Sequence, residues 1–281
     1  MLKSVRMSKK AQVTIFVVVA VLVVALVGVS YVVVNNKSKG SDANLSPEAQ
    51  VFKTYMDGCL KDVLRDSIVH IGLQGGYFSP PDSEDRALDF FGVVVPYYLY
   101  EKENLIISEK RLVSELSQAI EVDAVSVCAA GFTDSEYGIE VADADANVIL
   151  GDESVKLQLN LPVVITKGEI KSEVKEYETE VPIRLKEVYN NAVAIVKIAS
   201  AEPYHLCIDC IDAVRDNNII VNAFTWQDNT LIFRLSDYAS RIDDNNPDPY
   251  RYYFAIKYID WSCDNLPSDI DNYIKEECDL R

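Results

Sequence analysis

The sequence predicts an α+β fold, with one N-terminal transmembrane helix followed by a mostly antiparallel, mixed α+β domain outside the cytoplasm, in one body or two lobes. Three observations carry that expectation. Val13 to Val34 is an uncharged apolar run, residues 46 to about 130 repeat their apolar positions at helical spacing around one aromatic strand, and from Tyr137 the period falls to two.

The run VTIFVVVAVLVVALVGVSYVVV holds 22 residues, which at 1.5 Å each reach roughly 33 Å against about 30 Å of hydrocarbon. It has no polar face, unlike a helix that packs on a soluble core. Lys3, Arg6, Lys9 and Lys10 flank it on one side without an acid among them, so the N-terminus is expected in the cytoplasm and the C-terminus outside. The run is longer than a secretory signal and Ser30–Val34 offers no small-residue cleavage pattern, which favours a retained signal anchor. The expected organisation is a basic leader at 1–12, a bilayer-embedded helix at 13–34, a polar tether at 35–45 and a domain at 46–281, with a possible sub-boundary near 135. The tether NNKSKGSDANL contributes to two glycosylation sequons, Asn36-Lys37-Ser38 and Asn44-Leu45-Ser46, which suit an outside location.

Lys9-Lys10-Ala11-Gln12-Val13-Thr14 resembles the archaeal class III, prepilin-like leader, cut between a small residue and Gln just before the hydrophobic helix. Phe16 departs from the pilin pattern, which has Glu at the fifth mature position to register subunits in a filament. The leader, the Cys-containing helix after it and Gly72-Leu73-Gln74-Gly75-Gly76-Tyr77 together look like single-span archaeal surface proteins. That resemblance implies location and lineage, and no activity. It also implies that any processing falls between Ala11 and Gln12.

In the outer part, Ser46 can cap a helix with Pro47 at its first position and Glu48 at the positive end of the dipole. Positions 52, 55, 56, 59, 60, 63 and 64 form its apolar face, and Gly75-Gly76 stops it. FFGVVVPYYLY (90–100) reads as strand, with Pro96 arguing for a sheet edge or a bend. A second helix is expected from Ser108 to about Ala130, with Leu112, Leu116, Ala119, Ile120, Val127 and Cys128 inward and Gly131 ending it. Val155, Leu157, Leu159 and Leu161 alternate with polar residues, and Lys167-Gly168 turns into a strand at Ile170–Glu180. A helix is expected over Leu185–Ser200 and a short one over Cys207–Asn217. Strands follow at Ile219–Trp226, Thr230–Leu235 and Arg251–Ile259.

Charge narrows the partners. Six of the 27 basic residues precede Asp42, the first of the 44 acidic ones, so residues 41–281 carry a net −23. Such a domain repels phosphate backbones, and nucleic acid is not an expected partner. The expected partners are the bilayer, through residues 13–34, and other envelope proteins.

Six cysteines, Cys59, Cys128, Cys207, Cys210, Cys263 and Cys278, suit disulfides in an exported domain, with 15 pairings open. Cys59–Cys128 and Cys263–Cys278 are the favoured pairs. Cys207-Ile208-Asp209-Cys210 is also a redox candidate, since a thiol at a helix N-terminus ionises readily, though Asp209 opposes a thiolate. His205 adds a third zinc-type donor without an evident fourth, and His70 reads as a partly buried helix residue. Two acidic clusters, Asp143-x-Asp145-x-Asn147 and Asp244-x-Asn246-x-Asp248, offer the hard oxygens calcium prefers, but Val148 and Pro249 stand where an EF-hand loop needs Gly.

No nucleophile elbow, phosphate-cradling loop or His-Glu-x-x-His is present, and no cofactor is indicated. The sequence therefore favours a non-enzymatic surface or envelope protein that binds or supports other components. The alternatives are a pilin-like filament subunit processed before Gln12 and a membrane-tethered thiol-disulfide oxidoreductase using Cys207 and Cys210.

Overall fold

The computed structural model describes residues 45–132, 136–201, 218–227, 229–243 and 248–259. The leader, the apolar run 13–34 and residue 135 lie outside them, and among the described residues no helix is long and apolar enough to cross a membrane.

Helix α1 (Pro47–Leu73) begins where its caps predict, with Ser46 Oγ accepting the Ala49 amide at 3.2 Å. Phe52, Met56, Leu60, Leu64, Ile68 and Ile71 are fully buried along one stripe, while Tyr55 at its margin stays partly exposed. The helix ends as the Gly76 amide donates back to the Ile71 carbonyl at 2.7 Å, with Gly75 and Gly76 at positive φ of 55° and 84°. Gly72 has a packing reason: a Cβ there would stand 2.5 Å from the Arg251 carbonyl oxygen. The glycine-rich stretch 72–77 is thus the seam between a helix and a strand.

Strands β1 (Ala87–Phe90) and β2 (Val93–Tyr100) form a hairpin turning at Phe91-Gly92, both at positive φ. β3 (Glu103–Asn104) folds back on β2. Helix α2 (Glu109–Asp123) is capped by Ser108 Oγ, which accepts the Arg111 amide at 3.2 Å, and continues into a π-helical turn at Ala124–Ala129. The expectation that Val127 faces inward is corrected here, because Val127 is 52% exposed. The wider π-turn rotates the face, so Ala124, Cys128 and Ala129 are buried instead.

The next strands alternate as their sequence does. They are β4 (Gly138–Val141), β5 (Asp145–Leu150), β6 (Val155–Lys167) and β7 (Ile170–Val181), all antiparallel, with the β6–β7 turn at Gly168 in the left-handed region. Leu157, Leu159, Leu161, Val163 and Ile165 bury at most 2% exposed on one side of the bend in β6 or the other. The Glu121 carboxylate of α2 accepts the Ala146 amide at 2.9 Å, so the helix satisfies a donor on β5. Helix α3 (Leu185–Ala201) leads towards β8 (Ile219–Trp226), β9 (Thr230–Asp237) and β10 (Tyr250–Lys257).

The architecture is α+β with two sheets. Among the described residues the larger runs β1-β2-β10-β9-β8 with β3 also on β2, and β2–β10 is its one parallel pair; the smaller runs β4-β6-β5 with β7 on β6. Pro96, read as the mark of an edge or a bend, has a ladder partner on the β1 side only, Ala87, although β2 as a strand has neighbours on both sides. Proline is accommodated because the β10 ladder begins one residue later, at Tyr97↔Ala255.

Two links join the parts. Cys59 of α1 and Cys128 of the π-turn form a disulfide with sulfurs 2.02 Å apart. Arg184, just after β7, makes a two-pronged ion pair with fully buried Asp237 at the end of β9, at 2.7 and 3.1 Å. Ser240 Oγ donates to Asp237 and accepts the Arg184 amide, completing the clasp.

Candidate functional site

The inner face of the larger sheet is a tyrosine-rich core. The Tyr98 hydroxyl reaches the Gly75 carbonyl at 3.0 Å and shares a short hydrogen bond with the Tyr252 hydroxyl, and Tyr250 donates to the Ile68 carbonyl at 3.3 Å. Burial pushes all three phenols well above their ordinary range, and the Tyr98–Tyr252 bond holds Tyr98 down while raising Tyr252. These groups anchor helix to sheet and are closed to ligands.

The outer face differs. Val95, Tyr97, Ile232 and Ala255 form a small buried cluster, surrounded by half-buried Phe90, Phe224, Trp226 and Tyr253. Phe90 meets Trp226 edge-on at 5.1 Å, and Phe91, 84% exposed, meets the same indole at 5.6 Å.

A register shift builds one end of this face. Tyr97 pairs with Ala255 and Tyr100 with Lys257, so four residues of β2 span three of β10, the signature of a bulge. The extra residue returns Tyr100 to the face that Tyr97 occupies, where the rings stand edge-to-face at 5.2 Å. Tyr98 and Leu99 both turn into the core.

A groove of about 670 Å³ opens here, with Tyr97, Tyr100 and Trp226 as its aromatic wall. Asp82 and Glu84 from the loop before β1 and Asp89 within it are acidic lining residues, joined by Lys257, Gln227 and Thr230. Asp89 also accepts the Gly92 amide at 2.9 Å, fixing the hairpin turn. The Lys257 ammonium lies 5.4 Å from the centre of the Tyr100 ring. Among the described lining residues, acidic side chains outnumber basic ones, so the groove is acidic.

Those candidates named from sequence that are described, Asp143, Asp145, Asn147, Asp248 and His70, do not line this groove. Asp143, Asp145 and Asn147 are exposed, and the Asn147 amide donates across the strand to Gln158 at 3.1 Å, as a residue on the polar face of β5 would. Asp248 is exposed and 3.7 Å from Arg251, while Asp244 and Asn246 lie outside the described residues. Cys207, Cys210, His205, Cys263 and Cys278 also lie outside them. His70 sits on an exposed face of α1 with its ring 4.9 Å from Phe78. Among the described residues no cluster of three or more His, Cys, Asp or Glu side chains could hold a metal ion.

Sequence reasoning passed over Tyr97, Tyr100, Trp226 and Lys257. The available signal was apolar residues at both parities of β2 and β8, meaning that the larger sheet keeps an apolar outer face as well as a core face. Comparison of the chain with family models, curated proteins and solved structures finds no match.

Proposed function

We propose that this chain is a membrane-anchored, extracytoplasmic surface protein whose outer domain works by binding rather than by catalysis. The Cys59–Cys128 disulfide carries the reading, because a paired thiol joining two helices suits an oxidising, exported location. The uncharged run at 13–34 and the basic residues before it supply the anchor and the orientation with the N-terminus inside. The aromatic and acidic groove supplies a surface on which a partner of the envelope would dock.

Protease added to intact expressing cells tests the reading. The outer domain is digested while a tag before Lys3 is spared, and the Cys59–Cys128 bridge is recovered oxidised from untreated cells. Full protection of the domain, or reduced thiols at both positions, would overturn it.

A further inference from the structure

We propose that the groove between the loop before β1 and the β8–β9 turn binds a lysine-bearing peptide segment of a partner protein; the inference rests on the surface-binding reading above. Its first basis is charge. Asp82 and Glu84 line the groove with Lys257 as the one basic residue among its described lining, within a chain of net charge −17. Anionic ligands are repelled there, and cations are drawn in.

The second basis is the aromatic wall. Ring faces attract cations, and this sheet face already uses that attraction twice: Lys257 lies 5.4 Å from the Tyr100 centroid and Arg234 lies 5.2 Å from that of Phe224. Trp226, the strongest cation–π partner of the set, lines the groove, and Phe90 and Phe91 meet its ring edge-on. A visiting ammonium there would be flanked by the Asp82 and Glu84 carboxylates.

The third basis is size. About 670 Å³ lies in the range of sites that enclose a whole small molecule, far more than one ammonium fills. A lysine side chain together with its neighbouring backbone matches that space, with apolar Pro81 and Leu88 beside the methylene stem and the Gln227 amide beside the peptide groups.

Titration calorimetry on the full chain in uncharged detergent tests the proposal, with acetyl-trilysine amide, spermidine, acetyl-triglutamate amide and cellobiose as probes. Trilysine binds one-to-one and weakens as salt is added. Trp226→Ala loosens it about tenfold, equivalent to about 1.4 kcal/mol and within the range of a desolvated cation–π contact. The double change Asp82→Asn with Glu84→Gln, on an exposed loop, loosens it at least as much and guards against a misfolded Trp226 variant. Glu173→Gln with Glu176→Gln, on the exposed face of β7, leaves it within twofold. Equal loss in that control would show a diffuse acidic field and overturn the proposal. So would preference for cellobiose or triglutamate, tighter binding of spermidine than of the peptide, or no binding at all. Any of these would leave the protease result, and the surface reading with it, standing.

Discussion

The two sheets treat their outer faces in opposite ways. In the smaller one, β6 buries Val155, Leu157 and Leu159 while its partner β7 turns Lys175, Glu176 and Glu178 to solvent. In the larger one, β2 and β10 place Tyr98, Tyr250, Tyr252 and Phe254 on the core face, while Tyr97 and Tyr253, with Phe224 and Trp226 of β8, form a second aromatic set on the other. A sheet with one apolar face is a wall; a sheet with two offers a surface that something else can use. The contrast locates the groove on the larger sheet, whereas Asp143, Asp145 and Asn147, prominent in the sequence, lie on or beside β5 of the smaller one.

The clasp between the sheets gives the largest expected effect. Replacing Asp237 by Ala leaves the Arg184 guanidinium, 11% exposed, without its buried carboxylate. The cost is about 3–5 kcal/mol, measured by denaturant titration. A loss under 1 kcal/mol would mean that the sheets hold together without the pair. The disulfide ranks next. It closes a loop of 69 residues, and changing both cysteines to Ser lowers stability by about 4 kcal/mol if the unfolded chain gains the expected freedom. An unchanged melting temperature would remove the bridge from the account.

The tyrosines divide the sheets more finely. Tyr98→Phe removes a hydroxyl bonded to both Gly75 and Tyr252 and costs about 1–3 kcal/mol. Tyr177 on β7 carries a buried hydroxyl with no hydrogen-bond partner among the described residues, so Tyr177→Phe is neutral or stabilising by up to about 1 kcal/mol. Equal losses at the two sites would erase the distinction. Alkaline pH probes the same groups together. Burial keeps Tyr98, Tyr250 and Tyr252 neutral in the folded protein above the pH of about 10 at which a free phenol ionises. Unfolding then releases protons, so their contribution is whole below about pH 10 and is lost as pH rises further. A melting temperature flat from pH 9 to 11.5 would contradict this. The smallest effect belongs to the charged outer face of β7, where Glu176→Gln changes stability by less than about 0.5 kcal/mol.

Local patterns by themselves determined the helix starts at Ser46 and Ser108, the alternation of β6 and the turn at Gly168. Each follows from hydrogen bonds, backbone angles or periodicity within a few residues. The charge asymmetry and the apolar run are likewise legible without a fold. The even cysteine count suggested disulfides and the inward positions of two cysteines suggested Cys59–Cys128, but only the packing of α1 against the π-turn brings those sulfurs together. Tertiary structure also decided the exposure of Val127 and the shared face of Tyr97 and Tyr100. A π-turn and a bulge each insert one residue into a period, and sequence periodicity does not show where the insertion falls. The Arg184–Asp237 clasp and the groove beside Trp226 join residues more than fifty positions apart, so their chemistry exists only once the sheets have formed.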